Sequence, residues 1–307
     1  MSKPSSPLTT YPEPPAKRHH ELAIELISGS VGGASQVLVG QPLDTLKTRA
    51  QTAPRGQFRN TLDIFRTTIR NEGALALYKG MASPLLGIAA VNSLLFTAYG
   101  ASRRLVSPYP ELSISQIALA GGMAGAANAI LASPVEMFKI RMQGQYGRGG
   151  KRLSTVVGDM WREWGFRNGV MRGYGVTVIR EIPAYAGFYS GYEYSKRWFI
   201  RHYHPDPLPI WALLTSGGIG GVCYWLACYP LDVIKSRIQL ASSPPARGGW
   251  FEGGYVGREL RAILGEGGSN ALFKGIGPTM LRAVPAAAVT FFAFESTRQF
   301  IVDHDLL

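Results

Sequence analysis

Pro42-Leu43-Asp44-Thr45-Leu46-Lys47-Thr48-Arg49-Ala50-Gln51 decides the fold, because the chain repeats the phrase twice more. The second copy is Pro134-Val135-Glu136-Met137-Phe138-Lys139-Ile140-Arg141-Met142-Gln143, and the third is Pro230-Leu231-Asp232-Val233-Ile234-Lys235-Ser236-Arg237-Ile238-Gln239. The three prolines stand 92 and 96 residues apart, so the chain is a threefold repeat. Each copy closes a long segment almost free of charge. Three apolar units with charges at matching ends describe a membrane transporter.

Outward from the prolines, stretches poor in charge cover residues 22–42, 80–102, 113–135, 172–198, 208–231 and 275–301. Each has about the ~20 residues that a helix needs to cross the hydrocarbon core. Their hydrophobicity is moderate, which predicts that one face of each meets water or protein. The polar, basic stretches between the members of each pair are long enough for a short surface helix. Each odd-numbered span carries glycines spaced for close helix contact: Gly29 and Gly33, Gly121 and Gly125, Gly217 and Gly221. The first of each pair precedes its proline by 13 residues, a register a chance GxxxG would not keep. The even-numbered spans open on Lys79-Gly80, Arg172-Gly173 and Lys274-Gly275. Near their far ends stand Tyr99-Gly100 with Arg103, Tyr192-Glu193 with Lys196, and Phe294-Glu295 with Arg298.

Composition agrees. Of 307 residues only 17% are charged, 46% are hydrophobic and 37 are glycine, an unusual balance for a soluble enzyme. The net charge of +12 admits nucleic acid, anionic lipid or anionic solutes as partners. Nucleic acid is the weakest choice, since many bases recur at matching places in the repeats instead of forming one patch. Cys223 and Cys228 lie in one apolar segment and read as packed small hydrophobes. No histidine has a convincing metal spacing, and no metal or cofactor is expected. No nucleophile elbow or nucleotide-binding context supports an enzyme. Residues 1–20 have no apolar signal core and read as a disordered tail, followed by repeats over 21–106, 107–203 and 204–307.

These motifs resemble the mitochondrial carrier family over roughly residues 22–302. The phrase Pro-x-[Asp/Glu]-x-x-[Lys/Arg]-x-[Lys/Arg] with a following glutamine is specific to it. The [Phe/Tyr]-[Asp/Glu]-x-x-[Lys/Arg] motif is intact at 192–196 and 294–298 and broken at Gly100. The resemblance implies an all-α membrane protein. Its six transmembrane helices form a barrel of three pseudo-symmetric repeats with short matrix-side surface helices. It further implies multi-pass insertion in the mitochondrial inner membrane, alternating access, and both termini in the intermembrane space. One chain already supplies three repeats, so a monomer is expected.

An acid and a base three residues apart on one helix can pair locally, for a few tenths of a kcal/mol. Three copies just after prolines at span ends point instead to pairs between repeats: Asp44 with Lys139, Glu136 with Lys235, Asp232 with Lys47. Such a ring would close the matrix end, with Gln51, Gln143 and Gln239 resembling the family's braces beneath it. At the cytoplasmic end Glu193 and Glu295 would pair with Lys196, Arg298 or Arg103. Gly100 removes one acid, which limits that gate to two pairs. The acid-glycine motif of the linkers fits at Glu72-Gly73, while its counterparts near Glu163 and Glu266 sit one residue further from the basic-glycine pair. The even-helix starts resemble cardiolipin sites, where amides at a helix N-terminus take phosphate.

Seven residues beyond the even-span glycines lie Gly87, Arg180 and Arg282, with Glu181 beside Arg180. A charge at that depth costs about 2.5–3.5 kcal/mol on insertion scales and normally faces a polar cavity and a partner. These positions match the family's substrate contact points, and Arg180-Glu181 resembles the carnitine and amino-acid branch. Arginine takes a carboxylate by a forked pair of hydrogen bonds, and Glu181 would offer a counter-charge to a cation. Two positive charges and one negative suit a zwitterion. Gly80-Met81-Ala82-Ser83-Pro84-Leu85-Leu86-Gly87, together with Gly100, looks like carnitine/acylcarnitine carriers. Val91 stands where ornithine-type carriers place an acid. Tyr185 or Trp225 would face a quaternary ammonium, or else pack against lipid or protein. Antiport of carnitine and acylcarnitine is the first expectation. A carrier of small neutral, acidic or basic amino acids is the second, and a carrier-like scaffold that transports nothing is the third.

Overall fold

The computed structural model describes residues 15–53, 56–109, 111–147, 149–203, 208–241 and 253–304. Six long helices carry the three repeats: α1 (Pro15–Thr52), α3 (Ala82–Val106), α4 (Ile114–Gln143), α6 (Tyr174–Tyr203), α7 (Ile210–Leu240) and α9 (Ile276–Asp303). Three short ones link the members of each pair: α2 (Thr61–Glu72), α5 (Leu153–Gly165) and α8 (Gly253–Gly267). The described residues contain no strand. Helix α1 begins at Pro15, so part of the stretch expected to be a disordered tail is helical; residues 1–14 lie outside the described residues. Proline suits that first helical position, where its missing N–H would find no partner anyway.

Local chemistry explains several boundaries. Ser113 caps α4 reciprocally with Gln116, and the Asn60 side chain accepts the Asp63 amide at the start of α2. Pro42, Pro134 and Pro230 lie inside α1, α4 and α7, where each removes one backbone hydrogen bond without ending the helix.

Four of the six long helices, α3, α4, α7 and α9, are apolar enough by composition to cross a membrane, judged among the described residues. Helices α1 and α6 fall short of that measure. In α6 the cause is visible, since Arg180, Glu181 and Glu193 lie within it. Its 30 residues still span about 45 Å at 1.5 Å per residue. Two of those charges are covered by the other helices: Arg180 and Glu181 are each 2% exposed.

The helices pack as a ring, α1–α3–α4–α6–α7–α9 and back to α1. Contact is extensive on four seams and thin at α1–α3 and α7–α9. The glycine pairs account for part of this. At Gly121 and Gly125 a Cβ would meet the Tyr185 carbonyl at 2.7 Å and the Glu181 carbonyl at 2.5 Å, so α4 lies directly on α6. In the first repeat Gly33 packs on Ile88, while Gly29 faces open space. In the third, Gly217 and Gly221 both face open space and Gly220 approaches the Phe188 carbonyl instead. The threefold glycine register thus makes a close contact in the second repeat, half of one in the first and none in the third.

Candidate functional site

The glycines of the basic-glycine pairs have a physical cause. Gly80, Gly173 and Gly275 adopt φ of 81°, 77° and 82°, conformations that side chains rarely take. A Cβ on Gly80 would also lie 2.8 Å from the Lys139 carbonyl, and one on Gly275 3.1 Å from the Lys47 carbonyl. These turns therefore press each even helix start against the motif of a neighbouring odd helix. Two further ties repeat this: Gln41 donates to the Lys79 carbonyl at 2.8 Å, and Tyr229 to the Lys274 carbonyl at 3.0 Å. Both donors immediately precede a repeat proline.

The pressure brings the motif charges together. Lys139 donates to Asp44 at 2.5 Å, Lys47 lies 2.7 Å from Asp232, and Lys235 pairs with Glu136. Each pair joins two repeats, and together they close the motif end of the ring. The braces beneath them are unequal. Gln51 donates to Asp232 Oδ2 at 3.0 Å. Gln143 does not reach a carboxylate; it accepts from Thr48 at 2.7 Å and donates to Thr45 at 3.2 Å. Gln239 is fully buried, and neither polar atom of its amide has a hydrogen-bond partner among the described residues. The positions that Thr45 and Thr48 hold in the first repeat are Met137 and Ile140 in the second, and neither side chain offers a hydroxyl.

Outside this ring the second basic residue of each motif is clamped to a linker. Arg49 makes two bonds to Glu72, at 2.7 and 2.9 Å, and Lys79 joins the same carboxylate at 2.6 Å. Burial raises the Glu72 carboxyl, but hydrogen bonds from Arg49 and Lys79 outweigh it and hold the pKa below its ordinary value. Arg237 repeats the clamp with two 2.6 Å bonds to Glu266, with Lys274 at 3.9 Å. The second repeat differs. Trp164 takes the acid's place, with Arg141 and Arg172 over its ring at 5.1 and 4.4 Å. Both arginines donate to the Ala241 carbonyl at 2.6 Å.

Above the ring lies a cavity of about 460 Å³. Arg180 and Arg282 line it, together with the three acids and three lysines of the ring. The wall thus holds five bases and three acids. Aromatic side chains complete it: Phe96, Tyr185, Phe188, Tyr189, Tyr224 and Trp225, with Gln36 and Asn92 as neutral polar groups. Three expected contact residues are absent from this wall. Gly87 is packed against α4, where a Cβ would meet Val135 at 2.6 Å. Val91 gives way to Asn92, a shift of one residue or about 100° around α3. Glu181 lies behind Arg180, which it holds at 2.8 Å.

Both terminal nitrogens of Arg180 are engaged, while its buried Nε makes no hydrogen bond among the described residues. Nη2 bonds Glu136 at 2.7 Å, Nη1 donates to the Tyr224 hydroxyl at 2.5 Å, and Nε lies 3.9 Å from Asp232. Arg282 reaches Asp44 Oδ2 at 3.1 Å, the oxygen that Lys139 also holds. The Lys47 ammonium sits 4.1 Å from the centre of the Trp225 ring. Asn92 was legible as the polar exception in an apolar helix. Tyr224 and Gln36 carried no comparable signal.

The opposite end differs from expectation. Glu193 is taken by Arg197 on its own helix at 2.8 Å. Among the described residues Lys196, Glu295 and Arg298 form no salt bridge. Arg103 lies over Tyr99 at 5.9 Å, and Tyr99 stacks on Tyr189 at 3.7 Å between ring centres. The ring is joined by charges at one end and not by the expected pairs at the other.

Comparison with known proteins agrees with this geometry. The family described as "Mitochondrial carrier protein" matches residues 18–109, 110–203 and 206–305. The chain is 38% identical over 291 residues to "Protein dif-1" of Caenorhabditis elegans, covering 90% of this chain and 91% of that one. It is 35% identical to "Mitochondrial ornithine transporter 1" of Mus musculus, with 92% and 96% covered. It is likewise 35% identical to the "Mitochondrial carnitine/acylcarnitine carrier protein" of Mus musculus, with 90% and 93% covered. With three matched repeats spanning nearly its whole length, the chain belongs to the mitochondrial carrier family.

Proposed function

We propose that this carrier exchanges a zwitterionic carboxylate, with carnitine and acylcarnitine first, across the mitochondrial inner membrane by alternating access. One observation carries the reading: two arginines and an indole that already holds an ammonium share one cavity. Arg180 and Arg282 are the carboxylate receptors, each offering a planar fork of donors. Trp225, with Tyr185 and Tyr224 beside it, receives the cationic end as it now receives Lys47. Leu95, Phe96 and Phe188 give an acyl chain an apolar wall.

Relatives named for ornithine and for carnitine share the same identity with this chain, and the cavity's charge favours the second of the two. Each acid on the wall is already paired with a lysine, and Glu181 is held beneath Arg180. A substrate with two ammonium groups finds no uncommitted acid there and a surplus of positive charge. The ring of Asp44, Lys47, Glu136, Lys139, Asp232 and Lys235 acts as the matrix gate, and Glu193, Lys196, Glu295, Arg298 and Arg103 form the cytoplasmic one when it closes.

A carrier of small neutral amino acids is the second reading, favoured by the same arginines and by the limited volume. The deciding experiment is uptake of labelled carnitine, arginine, glycine and glutamate into proteoliposomes preloaded with each solute. Carnitine exchange is expected. Glycine or glutamate exchange without carnitine replaces the first reading with the second, and exchange of nothing leaves a scaffold.

A further inference from the structure

We infer that a doubly charged oxyanion, phosphate or a phosphate group, binds at the end of the ring opposite the motif charges. There it stands in for the carboxylate that Gly100 leaves out. The inference rests on the proposed role of this end as the cytoplasmic gate. It does not depend on which solute is carried.

A cavity of about 450 Å³ lies there, between α3, the start of α4 and the end of α6. Arg103, Lys196, Arg197 and Arg201 line it against two acids, Glu111 and Glu193. The wall therefore has two positive charges in surplus. One of the acids is already committed: Glu193 holds Arg197 at 2.8 Å, and Arg197 also donates to the Leu112 carbonyl at 2.6 Å. Lys196 and Arg201 form no salt bridge among the described residues. Leu112 and Ile117, both buried, complete part of the wall, so water screens these charges from fewer directions than on an open surface. Bases gathered in a recess of this kind concentrate anions.

The first repeat carries Gly100 where the second and third carry Glu193 and Glu295. Tyr99 and Arg103, one residue before Gly100 and three after it, both line the cavity, and a Cβ on Gly100 would meet nothing within 4 Å. Closing this end gathers Arg103, Lys196 and Arg298 with only Glu193 and Glu295, three bases to two acids. A bound oxyanion supplies the missing charge and bridges Arg103 in the first repeat to Lys196 and Arg201 in the second. Its oxygens suit both the planar fork of arginine and the point charge of lysine. It binds more tightly as the bases converge, and only such a difference in affinity shifts an equilibrium toward the closed state. Chloride brings one charge to a surplus of two and no forked geometry, so it is the weaker ligand. Free phosphate and the headgroup of an anionic lipid offer the same chemistry.

The full chain is placed in vesicles of phosphatidylcholine, with or without phosphatidic acid, and exchange of labelled carnitine is timed. External phosphate and chloride are compared at matched ionic strength and slightly alkaline pH. In phosphatidylcholine alone, phosphate is expected to slow exchange several-fold and saturably, and chloride to leave it unchanged. Slow exchange in phosphatidic acid vesicles, with no further slowing by phosphate, assigns the same site to a lipid headgroup. Thermal unfolding of the detergent-solubilised chain needs no transport, and phosphate is expected to raise its midpoint. Lys196→Gln is expected to lose most of both effects. Gly100→Asp, which builds the acid into the chain, is expected to exchange slowly without phosphate and to respond to it several-fold less. It therefore tests the site even where the lysine variant fails to fold. Equal effects of phosphate and chloride overturn the inference, as does a Gly100→Asp response as large as that of wild type. Absence of carnitine exchange, with a phosphate-dependent midpoint that both variants lose, removes the substrate assignment and leaves the oxyanion site standing. Carnitine exchange that responds to neither phosphate nor phosphatidic acid removes the oxyanion site alone.

Discussion

Gln51 donates to Asp232 Oδ2 at 3.0 Å, whereas its third-repeat equivalent Gln239 is buried with no hydrogen-bond partner for either polar atom among the described residues. The same amide thus supports a charge pair of the ring in one repeat and lies unmatched in another. A hydrogen bond to a charged group contributes about 1.5–3 kcal/mol, while a buried unmatched amide costs its desolvation. Gln51→Met is expected to lower the thermal midpoint and raise leak through the carrier. Gln239→Met is expected to leave the midpoint unchanged or raise it. Thermal unfolding of the two variants side by side checks the contrast, and equal losses would refute it.

Glu72 predicts a pH dependence. Its folded pKa lies below the ordinary 4.5 because hydrogen bonds from Arg49 and Lys79 overcome the effect of burial. A depressed carboxyl contributes stability that is fully present above its unfolded value and is lost as the pH falls through the folded one. The stability gap between wild type and Glu72→Gln is therefore expected to be constant from neutrality to about pH 5 and to close below about 4.5. Unfolding midpoints across that range measure it. A gap that persists in acid would mean that Glu72 acts by packing.

Trp164 replaces a carboxylate between two basic side chains, and it holds them by its ring faces. Cation–π contacts are worth about 0.5–2 kcal/mol each, more when shielded from water. Trp164→Ala is expected to destabilise the carrier by about 1–4 kcal/mol from those contacts alone. Trp164→Glu, which restores the chemistry of Glu72 and Glu266, is expected to recover part of that loss. Thermal unfolding with the three side chains decides, and a Glu variant no better than Ala would show that the ring's volume is what matters.

Gly100 has open space around the position of a Cβ, so an acid fits there without strain. Lys196 forms no salt bridge among the described residues, and it lines the same cavity as Tyr99 and Arg103 at that end. Gly100→Asp is expected to favour the cytoplasm-closed state, lowering the exchange rate from outside by several-fold with folding intact. Exchange kinetics identical to wild type would count against a third cytoplasmic pair.

The sequence made the ring legible because charge pairs between repeats need only symmetry and reach. Asp44–Lys139, Glu136–Lys235 and Asp232–Lys47 are read from the motif spacing together with threefold symmetry. The cavity wall was legible only in its charges. Arg180 and Arg282 are placed by depth, but Gly87, Val91 and Glu181 depend on helix rotation, which periodicity in a weakly amphipathic span does not determine. Val91 and Asn92 differ by one residue, and only packing chose between them. The cytoplasmic pairs were read from motif identity, whereas Glu193 found Arg197 four residues along its own helix, the cheaper partner when the helices stand apart.

Glycines show the same division between motif and packing, and they can be tested singly. Gly125 and Gly217 were read as equal members of one register. At Gly125 a Cβ would lie 2.5 Å from the Glu181 carbonyl, a backbone atom that cannot move without shifting α6. At Gly217 it would meet nothing within 4 Å. Gly125→Ala is therefore expected to cost about 1–3 kcal/mol through overpacking and to disturb Arg180, since Glu181 anchors it. Gly217→Ala is expected to be neutral or to stabilise by a few tenths of a kcal/mol, because alanine is the better helix former. Thermal midpoints and exchange rates of the two variants measure the difference. If Gly217→Ala proves as damaging as Gly125→Ala, the third repeat must close on α9 in another state of the cycle, and its glycines serve that contact.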